Sequence, residues 1–80
     1  MPDIQIYSRP GCHMCEELIE EILPLVRGRA ELEVLNVDTR QDWQEEYGTR
    51  VPVVEFDGRF ICQHYLDRDA LASVLDEIGA

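Results

Sequence analysis

The sequence predicts an α/β fold built on a mixed four-stranded sheet. Short segments in which apolar and polar residues alternate are typical of strands, and longer segments with apolar residues at helical spacing separate them. Their order along the chain is β-α-β-α-β-β-α, and an Asp-Gly pair, the strongest short-range hairpin signal, joins the last two strands. A helix-linked strand pair followed by a hairpin gives a sheet with both parallel and antiparallel neighbours. With 80 residues, the whole chain, 1–80, is expected to form one domain.

The first strand and helix surround the most unusual stretch of the sequence, SRPGCHMCEE. The strand DIQIY (3–7) ends at a turn that contains Pro and Gly, and an amphipathic helix begins near His13. Pro24 is expected to kink this helix or to begin its last turn, and Gly28 is a plausible stop. The predicted apolar stripe of the helix consists of Met14, Leu18, Ile22 and Leu25.

The second strand–helix unit is shorter. ELEVLNV (31–37) alternates again and predicts the second strand. Asp38-Thr39 then opens a short helix that runs to about Tyr47 and ends at Gly48. Trp43 and Tyr47 lie four residues apart and are expected to pack inward together.

A hairpin and a closing helix complete the pattern. VPVVEF (51–56) and RFIC (59–62) are the predicted hairpin strands on either side of Asp57-Gly58. The last helix covers about 67–78, with Asp67 as its N-cap. Its predicted apolar stripe consists of Leu71, Val74, Leu75 and Ile78.

The charge balance excludes several classes of partner. The chain has 17 Asp plus Glu against 7 Lys plus Arg, for a net charge of −10. Such a surface repels phosphate backbones and anionic lipid, so we expect neither a nucleic acid nor a membrane as partner. The apolar segments are too short to span a bilayer, and the N-terminal residues do not resemble a secretory signal. We therefore expect a cytoplasmic protein, and nothing in the sequence requires more than a monomer.

Cys12 and Cys15 are the candidate reactive residues. Structural disulfides are rare in the cytoplasm, where paired cysteines are more often catalytic or metal-binding. Cys12 falls at a helix N-terminus, whose partial positive charge and unpaired N–H groups stabilise a thiolate. Arg9 adds positive charge nearby, and His13 would do the same as an imidazolium. Cys15 follows one turn later on the same face but deeper, where it can attack a mixed disulfide formed on Cys12.

Val51-Pro52 is the second functional element. An X-Pro bond ahead of a strand can be cis, and such a bond usually marks a tight turn. Because Pro52 interrupts the ladder, the backbone groups of Val51 are expected to be free to pair with an extended substrate.

These features together resemble the glutaredoxin-like proteins of the thioredoxin fold, in particular small bacterial members. The resemblance rests on QIYSRPGCHMC, VLNVD, RVPVVEFDG and the final helix, and it covers essentially the full length. It implies a thiol–disulfide oxidoreductase in which Cys12 attacks and Cys15 resolves. It also implies that Pro52 is the cis-proline facing the dithiol, that Val51 pairs with the bound thiol substrate, and that Arg9 contacts a glutathione carboxylate.

One segment departs from the glutaredoxin pattern and bears on the substrate. Glutaredoxins usually carry Gly-Gly and then two aspartates after the hairpin, whereas this chain has ICQHYL at 61–66. Without the glycines, close backbone approach by glutathione is harder. The expected substrate is therefore a protein or small-molecule disulfide. No bound cofactor is expected, and the reductant is an external thiol, either glutathione or a thioredoxin-reductase-type system.

Two alternatives remain open at this point. Cys12, Cys15, Cys62 and His64 together would make a Cys₃His set suited to zinc, although the expectation is that no metal is bound and that Cys62 is a small buried apolar residue. A non-catalytic interaction module on the same fold is the other alternative. Tyr7 is expected to pack against the first helix, and Arg50 either meets an acidic substrate group or is solvated.

Overall fold

The computed structural model describes residues 3–79. Within them the order β-α-β-α-β-β-α is confirmed. Met1, Pro2 and Ala80, which the one-domain prediction includes, lie outside the described residues. The elements are β1 (Asp3–Ser8), α1 (His13–Val26), β2 (Glu31–Asn36), α2 (Gln41–Tyr47), β3 (Val53–Phe56), β4 (Arg59–Gln63) and α3 (Arg68–Gly79).

The four strands form one mixed sheet, as the sequence predicts. Their spatial order is β2-β1-β3-β4. β1 runs parallel to β2 and antiparallel to β3, with Tyr7 opposite Val53, and β3 pairs antiparallel with β4. The start of β3 therefore lies beside the end of β1, where the chain turns into α1.

One face of the sheet is covered by α1 and α3 and holds the larger part of the core. Side chains from both helices meet Ile4 and Ile6 of β1 in a single buried cluster. A register shift between Val54 and Glu55 lets two successive β4 residues, Ile61 and Cys62, both be buried on this face. The buried side chains of α1 are Cys15, Leu18, Ile22 and Val26. The predicted stripe was thus right for Leu18 and Ile22, whereas Met14 and Leu25 are only half-buried.

The other face is covered by α2, and here the prediction for Tyr7 was wrong. Tyr7 stacks on Tyr47 with ring centroids 4.0 Å apart and meets the edge of Trp43 at 5.5 Å. It therefore packs against α2 and not against α1. The reason is the alternation of β1, because Ile4 and Ile6 point towards α1 and α3 and Tyr7 must point the opposite way. Trp43 and Tyr47 do pack inward, as predicted.

The turns and caps account for where the elements begin and end. Asp57 and Gly58 have φ of 51° and 78°, the left-handed pair that a tight hairpin turn needs. Asp67 caps α3, since its Oδ1 accepts the Ala70 N–H at 3.0 Å. Pro24 lies in the last turn of α1, which ends at Val26.

Three predicted elements were too long. The second strand, expected over 31–37, ends at Asn36. The helix expected from Asp38 is a 3₁₀ turn over Val37–Thr39 followed by α2, with Arg40 extended between them. β3 begins at Val53 rather than 51, because Pro52 has no N–H for the ladder and the Val51 N–H bonds elsewhere. Across residues 3–79, every helix is too short or too polar to traverse a bilayer.

Candidate active site

Cys12 occupies the N-cap of α1. Its backbone is extended, with φ −83° and ψ 107°, and its Sγ accepts the Cys15 N–H at 3.1 Å. The turn that leads into it is closed by the Cys12 N–H donating to the Arg9 carbonyl at 3.2 Å, and Gly11 takes a φ of 77° within that turn. The sulfur therefore sits among the unpaired N–H groups at the positive end of a 14-residue helix, which favours a thiolate.

Cys12 and Cys15 are joined as a disulfide, with Cα atoms 5.2 Å apart. This separation lies inside the usual disulfide range of about 4.4–6.8 Å. Cys12 is half-buried, whereas its disulfide partner Cys15, in the first turn of α1, is only 2% exposed. An incoming disulfide can therefore approach Cys12 from solvent, while Cys15 is accessible chiefly from Cys12.

The Val51-Pro52 bond is cis, as the sequence suggested. The expectation that the Val51 backbone is free was wrong for its N–H, which donates to the Tyr47 carbonyl at 3.0 Å. α2 ends at Tyr47, whose carbonyl lacks a helical partner, and that explains the bond. Within residues 3–79, the Val51 carbonyl accepts no hydrogen bond from the protein. The carbonyl of Pro52 accepts the His64 N–H at 2.8 Å, which ties the loop after β4 to this segment.

Arg9 and His13 both have acidic neighbours, which offset the positive charge that the sequence suggested for the site. The Arg9 Nε donates to Asp38 Oδ1 at 3.1 Å, and its Nη1 donates to the Gly48 carbonyl at 3.3 Å. The His13 side chain is 86% exposed, and its ring nitrogens lie 3.9 Å from Glu16 and 3.6 Å from Glu17.

Cys62 lies in the core and not at the dithiol. It is 6% exposed, it is not disulfide-bonded, and it belongs to the buried cluster between the sheet and α1 and α3. Burial raises the pKa of the Cys62 thiol, since ionising it would place charge in an apolar site. Among residues 3–79, no three or more His, Cys, Asp or Glu side chains are grouped so that they could share a metal ion. The Cys₃His arrangement that zinc would need is not formed.

The hydrogen-bond partners of Arg9 and Arg50 were not predicted from the sequence. Asp38 pairs with Arg9 from 29 positions away, and Gln63 Oε1 accepts a hydrogen bond from Arg50 Nε at 2.8 Å. Arg50 was expected to be solvated or to face a substrate, and it is instead half-buried against β4. The signal for Asp38 was present in the register, since β1 and β2 run parallel and end side by side.

The comparison with known proteins agrees with this architecture. The model of the glutaredoxin-like domain (DUF836) matches residues 3–76. The chain belongs to this glutaredoxin-like family. A curated relative, the glutaredoxin-like protein YDR286C homolog of Dictyostelium discoideum, is 30% identical over 83 residues, which cover 95% of this chain and 77% of the relative.

Solved structures show the same glutaredoxin-like fold. The solution NMR structure of protein Ne2328 from Nitrosomonas europaea has a TM-score of 0.82 and 33% identity, and the match covers 92% of each chain. The X-ray structure of protein XcR50 from X. campestris has a TM-score of 0.70 and 29% identity, covering 92% of this chain and 96% of that one. Glutaredoxin C1 from Populus tremula x tremuloides, in its holo form, has a TM-score of 0.64 at 20% identity, covering 94% and 84%, and this likeness shows the fold alone.

This glutaredoxin-like domain thus carries a Cys-x-x-Cys pair at the start of α1, with one sulfur accessible and the other buried. That arrangement and the family fit thiol redox chemistry.

Proposed function

We propose that this glutaredoxin-like protein is a dithiol–disulfide oxidoreductase that acts on a protein or small-molecule disulfide. One observation carries the proposal: the half-buried Cys12 Sγ lies at the N-terminus of α1, bonded to the buried Cys15. A nucleophilic thiol needs access and stabilisation of its thiolate, and a resolving thiol needs proximity and protection from solvent.

The reaction begins from the reduced dithiol. The Cys12 thiolate attacks one sulfur of the substrate disulfide, forms a mixed disulfide with it and releases the other substrate sulfur as a thiolate. The Cys15 thiolate then attacks Cys12 Sγ, forms the Cys12–Cys15 disulfide and releases the second substrate thiolate. Two electrons pass from the dithiol to the substrate, and protons from solvent neutralise the released thiolates.

Regeneration requires an external thiol, and no bound cofactor enters the cycle. Either two glutathione molecules or the dithiol of a thioredoxin-reductase-type system would return two electrons to Cys12–Cys15. Val51 and Pro52, which lie beside the end of β1, would hold the substrate chain through the Val51 carbonyl. Arg9 and His13 would flank the substrate at the turn. We place this chemistry in the cytoplasm, where the dithiol would be kept reduced, and in a monomer.

The test is the reduction of a peptide disulfide by the wild-type protein and by three single variants. Cys12→Ser should lower turnover to the uncatalysed rate, because the attacking sulfur is gone. Cys15→Ser should attack once and accumulate a mixed disulfide on Cys12, visible as an added mass. The matched control Cys62→Ala should keep wild-type turnover. Unchanged turnover in Cys12→Ser would overturn the proposal.

A further inference from the structure

A groove runs along the side of α1, between this helix and the loop that follows β4. Met14 and Leu18 form its helical wall, and His64, Tyr65 and Leu66 form the wall on the loop side. Glu17 and Glu21, one helical turn apart, add their carboxylates to the same lining. We call this feature the α1 groove.

The α1 groove begins at the redox centre. Met14 lies between Cys12 and Cys15 in the first turn of α1. The opposite wall is fixed to the cis-proline segment, since the His64 N–H donates to the Pro52 carbonyl at 2.8 Å. A polypeptide whose sulfur is bonded to Cys12 would therefore have its neighbouring residues at the mouth of this groove.

The size of the α1 groove limits what it can hold. Its volume is about 200 Å³, below the roughly 300–1,000 Å³ of pockets that enclose drug-sized ligands. It is large enough for one long side chain and too small to enclose a tripeptide. Met14 and Leu18 make the helical wall apolar, and Tyr65, which is 74% exposed, presents an aromatic ring on the loop side.

The charges around the α1 groove favour a cationic occupant. Glu17 has His13 at 3.6 Å, and Glu21 has Arg68 at 3.7 Å. The side chains in both contacts are half or more exposed, so these pairs are weak and open to competition. A lysine or arginine would place its aliphatic stem against Met14 and Leu18 and its charged head between the carboxylates, with Tyr65 near. Glutathione, with two carboxylates and one ammonium, would be repelled here.

We propose that the α1 groove is a specificity pocket for a lysine or arginine side chain that lies close to the disulfide of a partner polypeptide. This inference rests on the proposed function and specifies its substrate: a basic peptide segment in preference to glutathione. The α1 groove would steer the substrate electrostatically and place its disulfide over Cys12. Its effect should therefore appear in kcat/KM and should depend on ionic strength.

The experiment uses three peptides that form the same disulfide and differ at one neighbouring residue, which is Lys, Gln or Glu. For the reduced wild-type protein, kcat/KM should be highest for the Lys peptide, lower for the Gln peptide and lowest for the Glu peptide. The span, which is the ratio of kcat/KM between the Lys and Glu peptides, should be about tenfold at low salt. The double variant Glu17→Gln/Glu21→Gln should narrow that span to about twofold. Arg68→Gln should widen it, because a competing cation is removed from Glu21. About 1 M salt should remove most of the span in the wild-type protein.

The control for removing a carboxylate elsewhere is Glu45→Gln, which removes one exposed carboxylate on α2, away from the groove. It should keep the wild-type span. Equal rates for the three peptides, or the same narrowing in Glu45→Gln as in the groove variant, would overturn the specificity pocket while leaving the oxidoreductase intact. Failure to reduce any of the three peptides would overturn the proposed function and the pocket with it.

Discussion

Cys12 and Cys62 are the same side chain in two opposite environments of this protein. Cys12 is half-buried at the N-terminus of α1, where a backbone N–H donates to its sulfur. Cys62 is 6% exposed near the end of β4, packed among aliphatic side chains from the sheet and two helices. Solvent reaches the Cys12 sulfur, whereas Cys62 is buried, and burial raises the pKa of Cys62 by more than a backbone hydrogen bond from Asp67 lowers it.

On the proposed function, position in the fold, and not the cysteine count, decides which thiol reacts. The helix dipole and the capping N–H would stabilise a Cys12 thiolate in the reduced protein, whereas desolvation raises the pKa of Cys62 and favours its neutral form. Four experiments test whether the two cysteines differ in this way.

The largest effect is expected in alkylation of the fully reduced protein. At about pH 7, Cys12 should react with a small alkylating agent roughly a hundred times faster than Cys62, or more. The reagent can reach the Cys12 sulfur from solvent, whereas Cys62 is buried and its thiol stays protonated. Peptide mass spectrometry over time gives the two rates. The unfolded protein is the control, in which the rates should converge. Similar rates in the folded protein would contradict the comparison.

The second effect is on stability. Cys62→Ser should lower the free energy of unfolding by about 1–3 kcal/mol, because a hydroxyl is placed in an apolar site. Cys12→Ser, measured beside the reduced wild-type protein, should change it by less than about 0.5 kcal/mol, since Ser is itself a preferred N-cap. Urea unfolding under reducing conditions measures both. A larger loss in Cys12→Ser than in Cys62→Ser would contradict the assignment of the two environments.

The third effect concerns pH. The folded state holds the pKa of Cys62 above its ordinary value of 9.0, so the unfolded chain loses the Cys62 proton first as pH rises. The stabilisation from the neutral buried thiol is complete below that value and is lost above it. Between about pH 8 and pH 10, the stability of the reduced wild-type protein should therefore fall more steeply than that of Cys62→Ala.

Comparing the wild-type protein with Cys62→Ala also cancels the effect of two tyrosines on the pH dependence of stability. Burial raises the pKa values of Tyr7 and Tyr47 as well, and both residues are present in both proteins. Parallel pH profiles for the wild-type protein and Cys62→Ala would show that Cys62 is not shielded from solvent.

The smallest effect is expected at His13. Its imidazolium would favour the Cys12 thiolate, but Glu16 and Glu17 lie beside the ring and the side chain is 86% exposed. His13→Gln should therefore make the dithiol more reducing by no more than about 10 mV. The midpoint potentials of the wild-type protein and His13→Gln in thiol buffers at about pH 6 measure this shift. A shift of several tens of millivolts would mean that His13 acts on the sulfur directly.

Much of this fold could be predicted because local patterns determine it. The alternation in β1, the Asp-Gly turn and the cap at Asp67 each depend on residues within a few positions, and each is present in the structure. The position of Cys12 at the start of α1 followed from the same kind of pattern.

The errors came from contacts between distant segments. Alternation in β1 shows that Tyr7 lies on the opposite face from Ile6, but it does not reveal that α2 covers that face. That Arg9 is paired could be predicted only if Asp38 were known to lie beside it. That the Val51 N–H is occupied could be predicted only if the carbonyl at the end of α2 were known to lie within reach. Local spacing cannot supply these pairings, because they depend on how the helices dock on the sheet.

A redox titration shows whether Cys12 and Cys15 form a working dithiol. The protein would be equilibrated in glutathione buffers of defined potential, its free thiols trapped, and the intact mass and bonded residues determined. We predict a reversible, two-electron disulfide between Cys12 and Cys15 with one midpoint, while Cys62 stays a thiol throughout. Absence of that disulfide across the range, or its formation with Cys62, would contradict a working dithiol at the start of α1.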